Sequence, residues 1–275
     1  MATKVSTEDD ASSEPEDDVK MTIWEHLGEL RKRIIRASIG TLLGAIVCWV
    51  YREQLLAWLV LPYEKQWKER FPNTPLEIQI LSPADAFVNY MQLAVVGGVV
   101  VSAPIIFYQL WAFISPGLYA KEKRYIIPFV LSSSTLFGAG VAFAYYVAFP
   151  FTFSYFLSLL GGVGEGGTVL TSKPTMEFYI DFTTRMLLAF GGVFELPILI
   201  GFLSMAGIVT PGQLVRFTRW AILLSFALGA IITPGPEISS QIAVSGALVV
   251  LYLLSMGLAV LVAPRRKAED AKEKA

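Results

Sequence analysis

Long apolar stretches, each almost free of charge, alternate along this chain with short polar segments. An α-helix rises 1.5 Å per residue, so about 20 apolar residues cross a hydrocarbon core about 30 Å thick. Six stretches qualify as predicted spans: Ile35 to Leu59, Ala86 to Phe107, Tyr125 to Leu159, Phe182 to Ala206, Trp220 to Ile232 and Ile242 to Val262. The third exceeds one crossing and is expected to bend or project from the bilayer near Pro128 or Pro150. The fifth has only 13 residues, about 20 Å of helix, which predicts a bilayer thinned around it. Between the first two spans, Pro62, Pro72, Pro75 and Pro83 surround the aromatic, charged run Tyr63 to Lys68. That pattern predicts one or two short interfacial helices. Residues 160–181, rich in Gly, Ser and Thr, are expected to form a loop, and Thr233-Pro234-Gly235-Pro236-Glu237 a tight turn. No internal repeat is visible, so the inverted-repeat architecture of many secondary transporters has no support.

Composition sharpens this into an all-α, polytopic membrane protein with six transmembrane helices. Apolar residues make up 54% of the chain and charged residues 16%, well below the quarter usual in soluble proteins. The net charge of −1 gives no reason to expect nucleic acid as a partner. Residues 1–20 carry seven Asp and Glu among Ser and Pro, the reverse of a secretory signal with its basic start and apolar core. They read as a disordered acidic tail, ahead of a membrane domain over 21–263 and a charged tail over 264–275. The first apolar run is expected to act as an uncleaved insertion signal. Six crossings put both termini on one side, and 16 of the 22 Lys and Arg fall there, all except Arg52, Lys65, Lys68, Arg70, Lys173 and Arg185. The positive-inside rule therefore predicts an N-in, C-in orientation.

Several chemistries are excluded by what is scarce. His26 is the only histidine and precedes the first span, so an intramembrane serine–histidine site is not available. It is expected to be a surface or capping residue. Cys48 is the only cysteine and lies in an apolar run; metal-ligand spacing and a disulfide framework are both missing. No cofactor or metal is expected, and the chain reads as non-enzymatic. A small-solute transporter would need convergent polar groups at mid-membrane, where only Glu195 and scattered Ser and Thr qualify. A charge there costs at least about 2.5–3.5 kcal/mol, so Glu195 is expected to be protonated, paired, or facing a wetted concave surface.

The segment from Met21 to Arg33 precedes the first span with Trp24, Leu27, Leu30 and Ile34 at helical spacing. Glu29 stands four residues before Arg33 and can pair with it. One reading is an amphipathic helix anchored on the inner leaflet; the other is a helix that keeps Glu29 available as a carboxylate for an arginine ligand.

The run Glu25-His-Leu-Gly-Glu-Leu-Arg-Lys-Arg33 resembles the hallmark N-terminal helix of the TatC family, the multi-spanning subunit of the twin-arginine protein translocase. Ser102 to Tyr119 (SAPIIFYQLWAFISPGLY) is similar to that family's second span and first cytoplasmic loop, Ala189 to Pro197 (AFGGVFELP) to its fourth span, and Thr233 to Gln241 to its final external turn. The likeness runs in one register over about residues 22 to 262.

This resemblance implies a concave helical bundle with short interfacial helices in a bacterial cytoplasmic (inner) membrane, moving folded proteins with the proton-motive force. Glu29 and Glu122 match the two acidic residues that the family uses to bind the arginine pair of a signal peptide, and Arg31, Phe113 and Arg124 match positions expected to shape that surface. Guanidinium forks onto carboxylate with two hydrogen bonds, which suits one acid per arginine. Exposed ion pairs contribute only about 0–1 kcal/mol each, so the apolar part of the peptide must also bury itself, in a groove expected beside the cytoplasmic ends of the second and fourth spans. Glu195, and Gln241 with Glu237, match polar sites that contact single-span TatA- and TatB-type subunits. Glu237 stands where the family has aspartate, within an inserted-looking Gly235-Pro236. Pro62 matches a proline of the first external loop and is expected to be structural. Self-association in a receptor complex is also implied.

Overall fold

A computed structural model describes residues 23–114, 126–163, 168–170, 173–232 and 238–262. Its helices are α1 (Ile23–Val50), α2 (Arg52–Arg70), α3 (Pro83–Ile114), α4 (Ile126–Phe143), α5 (Phe149–Ser158), α6 (Met176–Val193), α7 (Leu196–Met205), α8 (Pro211–Ile232) and α9 (Ile238–Val262). Among the described residues six stretches are long and apolar enough to cross a membrane: Trp24–Val50, Pro83–Ile114, Ile127–Ser158, Met176–Met205, Pro211–Ile231 and Val244–Leu261. Two short strands, β1 (Gly161–Val163) and β2 (Thr168–Leu170), pair antiparallel where only a loop was expected.

The first span differs from expectation at both ends. It begins at Ile23, so the amphipathic run around Glu29 is the first part of α1 rather than a separate surface helix. It ends at Val50, and Arg52 to Leu59 belong to α2. A 28-residue helix is about 42 Å long, so its first turns project beyond a core of about 30 Å. The interfacial region is one helix of 19 residues, with Pro62 inside it.

Pro62 explains one of the contacts that tie α2 down. Proline has no N–H, so the carbonyl of Trp58, four residues earlier, loses its helical partner. Tyr145 Oη supplies the missing donor, at 2.8 Å, and stacks its ring on Trp58 with centroids 3.9 Å apart. Tyr179 Oη donates to the next carbonyl, Leu59 O, at 2.7 Å. The buried face of α2 (Leu59, Pro62, Tyr63, Trp67) thus caps one end of the bundle. Beneath it Phe149, Phe153, Ile180 and Phe190 belong, with that face, to the larger buried cluster among the described residues.

Where lipid replaces water, helices gain little from apolar burial and depend on close packing. α1 packs chiefly on α3, and a Cβ on Gly98 would lie 2.5 Å from Ala45 N and 2.8 Å from Thr41 O. Thr41 Oγ1 and Ser102 Oγ meet across the same crossing at 3.3 Å. From α3 the array continues through α4 and α6, while α7 packs on α9 and α9 on α8. With α1 at one edge and α8 at the other, the bundle is an open array.

Two spans are interrupted. Residues Ala144–Ala148 form a π-helical turn directly before α5, with Pro150 near the start of α5. The wider turn absorbs the ring that cannot follow an α-helical ladder. Pro128, by contrast, sits harmlessly in the first turn of α4. α6 and α7 are separated at Phe194 and Glu195, two residues before Pro197. The fifth span is a correction: α8 starts at Pro211 and has 22 residues, about 33 Å, so no thinning is needed. Thr210 and Gln213 form a capping box, Thr210 N donating to Gln213 Oε1 at 2.9 Å and Gln213 N to Thr210 Oγ1 at 3.3 Å.

Candidate functional site

The end of the bundle where α1 begins and α3 finishes brings two of the expected recognition residues together. Glu29 and Arg33 lie one helical turn apart on α1, and Arg33 Nε donates to Glu29 Oε1 at 2.9 Å while Nη2 donates to the same oxygen. Their side chains are only 20% and 19% exposed. The second carboxylate oxygen, Glu29 Oε2, is buried with no hydrogen-bond partner among the described residues. A buried acceptor without a donor costs about 1–3 kcal/mol, so this acid is built with unmet capacity.

Phe113, near the end of α3, stacks on His26 with ring centroids 4.4 Å apart and 17° between planes. His26 is therefore a half-buried packing residue between helices, not a free surface group. Below the stacked pair runs an open groove of about 180 Å³, walled by Leu30, Ile34 and Ala37 of α1 and Ile106 and Leu110 of α3. Arg33 and Gln109 complete the lining, but the surface open to the groove is almost wholly apolar. This groove lies between the first and second spans, a pairing that hydropathy does not reveal. Arg31, on α1, is exposed. Glu122 and Arg124, with the rest of 115–125, lie outside the described residues, as does Glu237.

Glu195 occupies the junction of α6 and α7, where the chain leaves the helical ladder. The half-buried carboxylate faces the Ser133 hydroxyl and the Phe137 backbone of α4, and its Oε1 is buried without a partner among the described residues. Ser133 is itself fully buried and accepts a hydrogen bond from Trp111 Nε1 of α3 at 3.0 Å. Trp111, Ser133 and Glu195 thus line up a polar seam across α3, α4 and the α6–α7 break. Gln241 belongs to a different helix pair: its Nε2, on α9, reaches Phe226 O of α8 at 3.3 Å. Sequence reasoning singled out Glu195 but not Ser133, Trp111 or Gln109. Ser133 is one hydroxyl among three in Ser132-Ser133-Ser134, and nothing in the sequence says which faces inward.

Comparison with known proteins gives a consistent answer. The family model described as Sec-independent protein translocase protein (TatC) matches residues 25–246. Proteins named Sec-independent protein translocase protein TatC are similar throughout. The one from Koribacter versatilis is 36% identical over 92% of this chain and 91% of its own. The one from Aquifex aeolicus is 35% identical over 92% of this chain and 100% of its own. A crystal structure described as the twin-arginine translocase receptor TatC superposes with a TM-score of 0.69 at 33% identity, over 86% of this chain and 99% of that one. A second, in the detergent DDM, gives 0.71 at the same identity, over 85% and 99%.

Proposed function

This chain belongs to the TatC family of protein translocase components, and from that premise we propose that it is the cytoplasmic receptor for twin-arginine signal peptides. It is a multi-pass membrane protein of a transport family rather than an enzyme. The observation that carries the receptor reading is the half-satisfied carboxylate of Glu29 beside an apolar groove. A guanidinium finds there an acceptor already desolvated, and the hydrophobic part of a signal peptide finds a wall to lie against. Glu29 and Glu122 take the two arginines; Phe113 closes the groove, and Arg31 and Arg124 set the surrounding charge. The acidic 1–20 and basic 264–275 segments flank this membrane domain. Both termini face the cytoplasm of a bacterial inner membrane, as the distribution of Lys and Arg favours.

The polar sites within the bundle serve partners. Glu195 on one helix pair and Gln241, with Glu237, on another offer hydrogen bonds to single-span TatA- and TatB-type subunits, for which a polar group in lipid is effective glue. Assembly of those subunits, and of further copies of this chain, completes a pathway driven by the proton-motive force.

Crosslinking tests the receptor step. A photoreactive twin-arginine signal peptide is offered to membranes carrying wild type, Glu29→Ala, Glu122→Ala or both, beside a twin-lysine control. Capture by wild type that the lysine pair and either substitution weakens is the expected outcome. Capture indifferent to all of these changes removes the mechanism and leaves only the fold.

A further inference from the structure

A polar cavity of about 270 Å³ opens between α3 and α6, at the end of the bundle opposite the start of α1. Asp85, Asn89 and Gln92 descend α3 at helical spacing on one wall; Glu177, Asp181 and Arg185 descend α6 on the other. Part of this set is committed. Arg185 Nε donates to Asp181 Oδ1 at 2.8 Å, and Gln92 Nε2 reaches the same oxygen at 3.4 Å and Thr184 Oγ1 at 3.1 Å. Asp181 therefore holds the guanidinium by Nε, which leaves both Nη groups of a side chain 78% exposed for another acceptor. Asp85 and Glu177 make no ion pair among the described residues.

First-turn carboxylates favour a helix whether or not a ligand meets them, so those two acids alone would signify little. Asn89 adds what they lack. It is 3% exposed, lines the cavity, and its Nδ2 has no hydrogen-bond partner among the described residues, a costly state for a buried amide. Rotation about its last torsion, which is soft for a terminal amide, is enough to turn that donor toward the cavity. The order of charge along the wall then matters. Glu177 is outermost on α6, and Arg185 reaches back to Asp181, one turn or about 6 Å further in. Phe178 and Val88, 74% and 53% exposed, make an apolar rim, so the cavity opens toward lipid.

We propose that this cavity seats the headgroup of an aminophospholipid, a zwitterion with a primary ammonium outermost and a phosphate beneath it. Asp85 and Glu177 receive the ammonium, and Arg185 with Asn89 the phosphate. A choline headgroup has no N–H to donate, and a glycerol headgroup brings no cation to the acids. A lone lysine or arginine from another polypeptide would meet the acids but set a like charge beside Arg185. A divalent cation lacks its ligand set, since the described residues hold no group of three or more candidate metal ligands.

Short-chain phospholipids with ethanolamine, choline or glycerol headgroups, titrated onto the purified full chain in detergent and followed by native mass spectrometry, test this. Wild type is expected to bind the ethanolamine lipid about tenfold more tightly than the choline lipid, as for a charge-assisted hydrogen bond. Asp85→Asn combined with Glu177→Gln is expected to bring that ratio close to unity. Arg185→Gln should weaken both zwitterionic lipids alike, because it removes a partner of the phosphate they share. Equal binding of the three lipids by wild type overturns the proposal, and so does a headgroup preference that survives in the double variant. If the double variant is not monodisperse, Glu177→Gln alone, at an exposed position, takes its place with the same two readings. A trilysine peptide that binds wild type but not the double variant, where no lipid is preferred, would assign the cavity to a cationic polypeptide instead.

Discussion

Pro62 shows how one side chain sets a contact elsewhere in the chain. Its missing N–H frees the Trp58 carbonyl, and Tyr145 Oη, 87 residues away, takes it at 2.8 Å. Tyr145→Phe keeps the stacking on Trp58 but leaves that carbonyl without a donor, a loss of about 1–3 kcal/mol. In a Pro62→Ala background the residue at 62 again has an N–H to offer, so the same Tyr145→Phe change is expected to cost much less. Thermal midpoints of the four proteins in detergent make a double-mutant cycle. Additive shifts would mean that the tyrosine acts through ring packing only. The sequence points to Pro62 as structural but cannot name its partner, because a hydroxyl donor 87 positions away leaves no local pattern. The same holds for the recognition site. Glu29 and its i+4 partner Arg33 are readable from spacing, whereas the stacking of His26 on Phe113 and the isolation of Gln109 Oε1 exist only once α1 and α3 cross.

At the level of elements, hydropathy locates all six spans but misplaces their ends, because breaks and caps are hydrogen-bonding events rather than changes in polarity. The end of α1 at Val50, the π-helical turn at Ala144–Ala148 and the break at Glu195 all fall inside apolar text. The start of α8 is a different case. Arg216 and Arg219 make its first turns resemble a loop, yet long basic side chains can extend from a helix end toward the interface. The Thr210-x-x-Gln213 capping box that marks the true start is plain in the sequence. Thr210→Ala removes one of its two hydrogen bonds and is expected to cost about 0.5–2 kcal/mol. The effect belongs to the first turn, so amide exchange should quicken over 212–214 and stay at wild-type rates from Ala221 onward. Faster exchange along the whole helix would show instead that α8 depends on this cap to dock against α9.

For the whole molecule, everything functional depends on which end of the bundle faces the cytoplasm. The open array puts the α1 start, the α3 finish and the α7–α8 turn at one end, and α2 with the β1–β2 hairpin at the other, since each crossing reverses direction. Side selection is not a property of the packing. The orientation proposed above rests on the sequence, in which 16 of the 22 Lys and Arg fall in segments that six crossings would put on the side of the termini, an asymmetry that the positive-inside rule reads as cytoplasmic. Single cysteines placed on a Cys48→Ala background convert this into a measurement. Native Cys48 is buried and contributes little labelling, and removing it leaves none. Asn73→Cys, in the exposed connection after α2, is expected to react with an impermeant maleimide in intact cells. Ile208→Cys, in the exposed turn before α8, should react only after the membrane is opened. The reverse pattern would put Glu29, the Arg33 pair and the α1–α3 groove outside the cell. A signal peptide awaiting export could not reach them there, and the carboxylates would need another ligand.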